Sequence, residues 1–86
     1  MTMKGEKTMN YTMCYTKSLS TNLSVNIDKD GNEYCVGLYN SATKEYTHIN
    51  FKTIEEACAR YLLIAKLLVL GLYSEEDKRQ ILINGL

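Results

Sequence analysis

Few side chains in this sequence are of types that do chemistry. The chain has three cysteines, Cys14, Cys35 and Cys58, and a single histidine, His48. Zinc sites draw their ligands from Cys and His, commonly as Cys-x-x-Cys pairs. Here the cysteines lie 21 and 23 residues apart and form no such pair. A catalytic thiol needs a base beside it, and only His48 could supply one. The thiols are therefore expected to be small apolar fillers, kept reduced as in a cytoplasm. Asp28-Lys29-Asp30-Gly31 matches the opening of a calcium loop. Such a loop needs a glutamate at its twelfth position, where this chain has Tyr39. The segment reads instead as a hairpin turn. The glycines are isolated, so no loop cradles a phosphate. No Ser-His-Asp order is built around His48, and Glu75-Glu76-Asp77 is a plain acidic helix start. Catalysis, cofactors and metals are not expected.

Charge narrows the partners. Ten Lys and Arg balance ten Asp and Glu over 86 residues. Split at Thr53, the first part carries six basic and five acidic residues, the second four and five. Neither half is a polyelectrolyte, which disfavours nucleic acid and a charged membrane surface. The longest apolar run, residues 61–73, contains Lys66 and Gly71 and falls short of the ~20 residues a bilayer needs. Residues 1–8 are polar, lack the apolar core of a secretory signal, and read as a disordered leader. Residues 9–86 are expected to form one domain, with a cytoplasmic location.

The elements that would carry these residues are legible in outline. Leu23, Val25 and Ile27 alternate with polar residues, as do Tyr34, Val36 and Leu38 beyond the turn. Asp-Gly between two such runs is a hairpin signal. A second turn at residues 40–44 leads to a third strand over residues 45–51, with Ile49 and Phe51 inward. Tyr46, His48 and Asn50 then share the opposite face, and Tyr39 lies near Tyr46 across the turn. Residues 10–17 also alternate, with Tyr11, Met13 and Tyr15 on one side, which allows a fourth strand at an edge. Tyr joins a large contact area to a polar tip, so Tyr39, Tyr46, His48 and Asn50 form a candidate binding face.

Thr53-Ile54-Glu55-Glu56 is a capping box that opens a helix running to Leu70. Gly71 suits its left-handed cap, with Leu72 reaching back to Leu67. Ser74 opens a second, shorter helix, which ends near Ile83 before Asn84-Gly85. At about 100° per residue, Ile54, Cys58, Tyr61, Leu62, Ala65, Leu68 and Val69 should cover the sheet. Leu63, Leu67 and Leu70 form a second apolar stripe on the far side. Two explanations stand. The C-terminal helix folds back over the stripe with Ile81, Leu82 and Leu86, or another chain covers it. The second explanation makes Leu63, Leu67, Leu70 and Tyr73 a partner or homodimer interface.

The run from Tyr34 to Tyr61 resembles the arm-type DNA-binding domain of tyrosine-recombinase integrases from phages and mobile elements. Phe51-Lys52-Thr53-Ile54-Glu55-Glu56-Ala57 matches that family's strand-to-helix junction. The resemblance covers about a third of the chain. It implies a three-stranded antiparallel sheet packed on a helix, with the exposed sheet face reading the DNA major groove. It also suggests a phage or mobile-element origin in a low-GC bacterium. Over residues 22–53, however, three lysines face four acidic residues and there is no Arg. Phosphate neutralisation dominates DNA affinity, so this sheet is poorly equipped for it.

The fold class expected is α+β: a three-stranded antiparallel meander, with a fourth N-terminal strand allowed, packed on one long helix and followed by a short one. The function expected is a small non-enzymatic protein-binding protein acting through its helices or its exposed sheet face. An anti-CRISPR-type inhibitor of a host defence factor is one setting. A DNA-binding regulator of the integrase-arm type is the alternative.

Overall fold

A computed structural model describes residues 12–86. Four antiparallel strands form one sheet in sequence order: β1 (Thr12–Lys17), β2 (Leu23–Asp30), β3 (Glu33–Asn40) and β4 (Tyr46–Phe51). Helices α1 (Ile54–Leu70) and α2 (Glu75–Asn84) follow. The protein is therefore α+β, and the fourth strand allowed by the sequence is present as β1. Tyr11 and the rest of residues 1–11, including the expected leader, lie outside the described residues.

The first hairpin is tighter than the Asp28–Asn32 turn expected from sequence. Asp30 pairs with Glu33, leaving Gly31 and Asn32 as a two-residue turn. Gly31 takes φ 62 at the first central position, as a type II′ turn requires. This keeps Asp28 and Asp30 inside β2 and fixes which face they occupy. At the second turn the Asn40 side chain accepts from the amides of Ala42 and Thr43. Lys44 completes that turn with φ 68.

The helix ends follow the capping grammar. Thr53 accepts from the Glu56 amide, and Ser74 accepts from the Asp77 amide. After α1, the Leu72 amide donates to the Leu67 carbonyl and the Gly71 amide to Leu68, with Gly71 at φ 67. That pair of bonds is the Schellman motif.

One face of the sheet presents Leu23, Val25, Ile27, Val36 and Leu38 to the helices, all buried. The helix covers them with Ala57, Tyr61, Ile64, Ala65 and Leu68; of the arc expected from sequence, Tyr61, Ala65 and Leu68 are buried and Ile54 and Cys58 are half-buried against the core. Leu62 and Val69 are exposed, while Ile64 is fully buried. The buried arc is rolled about 60° from the predicted one. The cause is α2, which packs on one flank of α1 and makes the buried arc the union of two contacts. Ile81 and Leu82 of α2 join the core beside Leu67, and Leu63 packs against it. Leu86, expected to help cover the stripe, is exposed.

Polar contacts set the position of α2. Asn40 donates to both oxygens of Glu75 at 3.0 and 3.1 Å, tying the helix start to the β3–β4 turn. Arg79 bridges Glu45, Glu75 and Glu76. The buried Lys78 ammonium donates to the Tyr73 carbonyl at 2.7 Å. On the other flank, Tyr61 and Thr16 share a hydroxyl–hydroxyl hydrogen bond of 2.5 Å that fastens α1 to β1.

Candidate functional site

The helices cover only one face of the sheet. Side chains alternate along a strand, so the register determines what the other face carries. Tyr15 and Lys17 of β1 stand opposite Asn26 and Ser24 of β2. Cys35, Gly37 and Tyr39 of β3 stand opposite Asn50, His48 and Tyr46 of β4. Asp28 and Asp30 continue the same row on β2, and Glu33 faces Asp30. No described element packs over this outer face.

Its aromatic part is ordered by contact. The Tyr39 and Tyr46 rings are 6.4 Å apart and tilted by 59°. Tyr46 stacks on His48 at 5.3 Å with the rings 21° from parallel. Gly37 makes this arrangement possible, because a Cβ there would stand 2.2 Å from the Tyr46 hydroxyl. The Tyr46 ring therefore lies down across β3, and its hydroxyl reaches the Cys35 sulfur at 3.7 Å. Burial under its neighbours, with the Cys35 contact and the Asp28 charge adding to it, pushes the Tyr46 hydroxyl up to about 12. Burial also raises the Cys35 thiol, and Asp28 and Asp30 add to that. Both groups are thus protonated donors at neutral pH.

Beside the aromatic patch lies an acidic one. Asp28, Asp30, Cys35 and Tyr46 line a cleft of about 150 Å3. Asn26 donates to one oxygen of Asp28. The other oxygen, Oδ1, is enclosed and has no hydrogen-bond partner. Asn50 donates from its single side-chain nitrogen to Asp30 at 3.2 Å and to Glu33 at 3.1 Å. Among the described residues no three His, Cys, Asp or Glu side chains are arranged to hold a metal ion.

The candidate residues fall into two groups. Tyr39, Tyr46, His48 and Asn50 share the outer face. Leu63, Leu67, Leu70 and Tyr73 do not form one surface. Leu67 is only 3% exposed and belongs to the core, and Leu63 is half-buried against it. Leu70 and Tyr73 are exposed near the helix–helix turn. The C-terminal helix, through Ile81 and Leu82, thus covers the middle of the stripe.

The cysteines are less buried than fillers should be. Cys14 is exposed, and Cys35 and Cys58 are half-buried. A bulge between Thr12 and Cys14 breaks the alternation of β1. Met13 consequently lines a groove with Cys14, Ile27, Cys58, Tyr61 and Leu62 beside α1, instead of continuing the row of Tyr15.

The acidic residues are the part of the face that sequence reasoning missed. The Asp-Gly turn signal assigns Asp30 to the turn and sets Asp28, which alternates with Ser24 and Asn26, at the strand's end. Carrying the alternation of Ser24, Asn26 and Asp28 one step further to Asp30 is the signal that places both carboxylates on the outer face.

Comparison with family models, with curated proteins and with solved structures found no match. The likeness to integrase arm domains rests on the residues quoted for it. Among the described residues, no helix is long and apolar enough to cross a membrane.

Proposed function

We propose that this is a non-enzymatic protein-binding protein that docks through the outer face of its sheet. One observation carries the reading: Tyr39, Tyr46 and His48 form a contacting aromatic row over Gly37, with no described element covering it. Stacked aromatics offer large contact area with little rotamer freedom left to lose, which favours them at interfaces. The partner is a protein in preference to duplex DNA, because Asp28, Asp30 and Glu33 share this face and would repel phosphates. Small size, zero formal net charge and free thiols fit a cytoplasmic setting. They also fit a phage- or mobile-element-encoded inhibitor of a host defence factor, of the anti-CRISPR type.

The test compares capture by variants. Wild-type protein should retain a partner from host lysate that His48→Glu loses and Leu70→Glu keeps. Equal retention by His48→Glu would refute the sheet face. Light scattering on the same variants shows whether that partner is a second copy of the chain. Titration of duplex DNA at several salt concentrations tests the integrase-arm reading, which needs binding that weakens steeply with salt.

A further inference from the structure

We propose that Cys14 and Cys58 are a thiol pair that a peroxide closes to a disulfide, tying the edge strand β1 to helix α1. The pair lies on the helical side of the sheet and stands whether or not the outer face docks a partner.

The register brings the two residues together. Thr12 stands opposite Asp28, on the outer face, and the bulge after it turns Cys14 to stand opposite Ile27. Thr16 stands opposite Val25. Ile27 and Val25 are buried under the helices, and residues opposite one another share a face. Cys14 and Thr16 are therefore turned towards α1. There the Tyr61 hydroxyl bonds Thr16 at 2.5 Å, and Cys14 is the next hydrogen-bonding neighbour of that hydroxyl. A helical side chain leans back over the turn before its own Cα. For Tyr61 that turn carries Cys58, three residues earlier. Cys14 and Cys58 accordingly line one groove of about 200 Å3, one from the strand and one from the helix.

The backbones are near enough for a bridge. β1 and α1 approach within 8 Å, Cα to Cα, close to the ~4.4–6.8 Å that a disulfide spans. β1 is a sheet edge, and Thr16 alone of its six residues is not exposed, so the strand can yield to close the bridge. Cys35 stands opposite Asn50 on the outer face, where neither other thiol reaches it.

Exposure divides the work: Cys14 is exposed and Cys58 half-buried. Cys14, as thiolate, attacks one oxygen of the peroxide. The O–O bond breaks, and the departing hydroxide takes the proton Cys14 gave up and leaves as water. Cys58 then attacks the sulfur of the Cys14 sulfenic acid. The S–O bond breaks, and the hydroxide leaves as water with the Cys58 proton. Two thiols are oxidised and one hydrogen peroxide is reduced to two waters.

The reduced full chain is treated with stoichiometric hydrogen peroxide, in native buffer and in urea. Remaining thiols are alkylated, and the products are digested with trypsin for mass spectrometry. In native buffer the peptide of residues 8–17 should be joined to that of residues 53–60, at least about tenfold over any link to Cys35. Cys14 and Cys58 lie 44 residues apart, against 21 and 23 for the other pairings. In urea the long link should therefore be about threefold rarer than either short one. Cys35→Ser should bridge as wild type does. Cys58→Ser should stop at a Cys14 sulfenic acid that dimedone traps. The bridged chain should unfold at higher urea than the reduced one, and dithiothreitol should reverse the gain.

The same mixture of links in native buffer as in urea, links to Cys35, dimers joined between chains, or Cys14 passing to sulfinic acid unbridged would each overturn the proposal. So would a bridged chain no more resistant to urea than the reduced one.

Discussion

Gly37 and Tyr46 fit one another: a Cβ on Gly37 would stand 2.2 Å from the Tyr46 hydroxyl and 2.4 Å from its ring. The colliding atoms are the far end of a side chain that is half exposed, so the ring can swing away. Gly37→Ala should therefore displace Tyr46 and break its Cys35 contact while the fold survives. The loss of packing is offset by the gain of Ala over Gly in a strand, leaving a stability change within about 1 kcal/mol. Urea unfolding checks the stability. The Tyr46 titration, followed by carbon NMR, should fall from about 12 towards the ordinary tyrosine value. A ring that keeps its titration in Gly37→Ala would contradict this relationship.

The same tyrosine gives a pH dependence with a definite sign. Its hydroxyl is raised from 10.0 to about 12 in the folded protein, mainly by burial. The folded state therefore holds this proton more tightly than the unfolded chain does. The associated stability is fully present below pH 10 and is lost as pH rises towards 12. The ring is 47% exposed, so solvent screening reduces the effect to about 1 kcal/mol. Tyr46→Phe should flatten that part of the stability–pH curve in chemical denaturation.

Much of the fold could be read from local grammar. The alternation of Leu23, Val25 and Ile27, and the caps at Thr53 and Ser74, depend on neighbours within a few residues. The roll of α1 does not. Leu62 and Ile64 are similarly apolar, and which one is buried depends on where α2 docks. That docking uses Asn40 with Glu75 and Arg79 with Glu45, partners more than 30 residues apart. The candidate face divides in the same way. Alternation alone puts Tyr46, His48 and Asn50 together. The seat of Tyr46 over Gly37 and the meeting of Asp28 with Tyr46 need the strand register, which no local spacing supplies.

The two caps should be worth similar amounts and act independently. Thr53 and Ser74 each accept an amide proton at 3.2 and 3.1 Å respectively. Thr53→Ala and Ser74→Ala should each cost about 0.5–2 kcal/mol in urea unfolding. Sites far apart add, so the double variant should show about the sum. A double variant no worse than either single one would mean that one cap does not form in solution.

Leu67 and Leu70 separate the core from the surface on one helix. Leu67 is 3% exposed and packs in the cluster that includes Ile81 and Leu82, while Leu70 is 58% exposed. Leu67→Ala removes buried methyl groups and leaves a cavity, so it should cost about 2–5 kcal/mol. Leu67→Glu adds the burial of a charge and should abolish cooperative unfolding altogether. Leu70→Glu lies in water and should change stability by less than about 0.5 kcal/mol. If Leu70→Glu alters the mass measured by light scattering while the fold persists, the end of this helix takes part in self-association. If Leu67→Glu gives a folded monomer, Leu67 lies in an interface between chains and α2 does not cover it. The burial of Leu67 predicts the opposite: loss of the fold with Leu67→Glu, and no change of mass with Leu70→Glu.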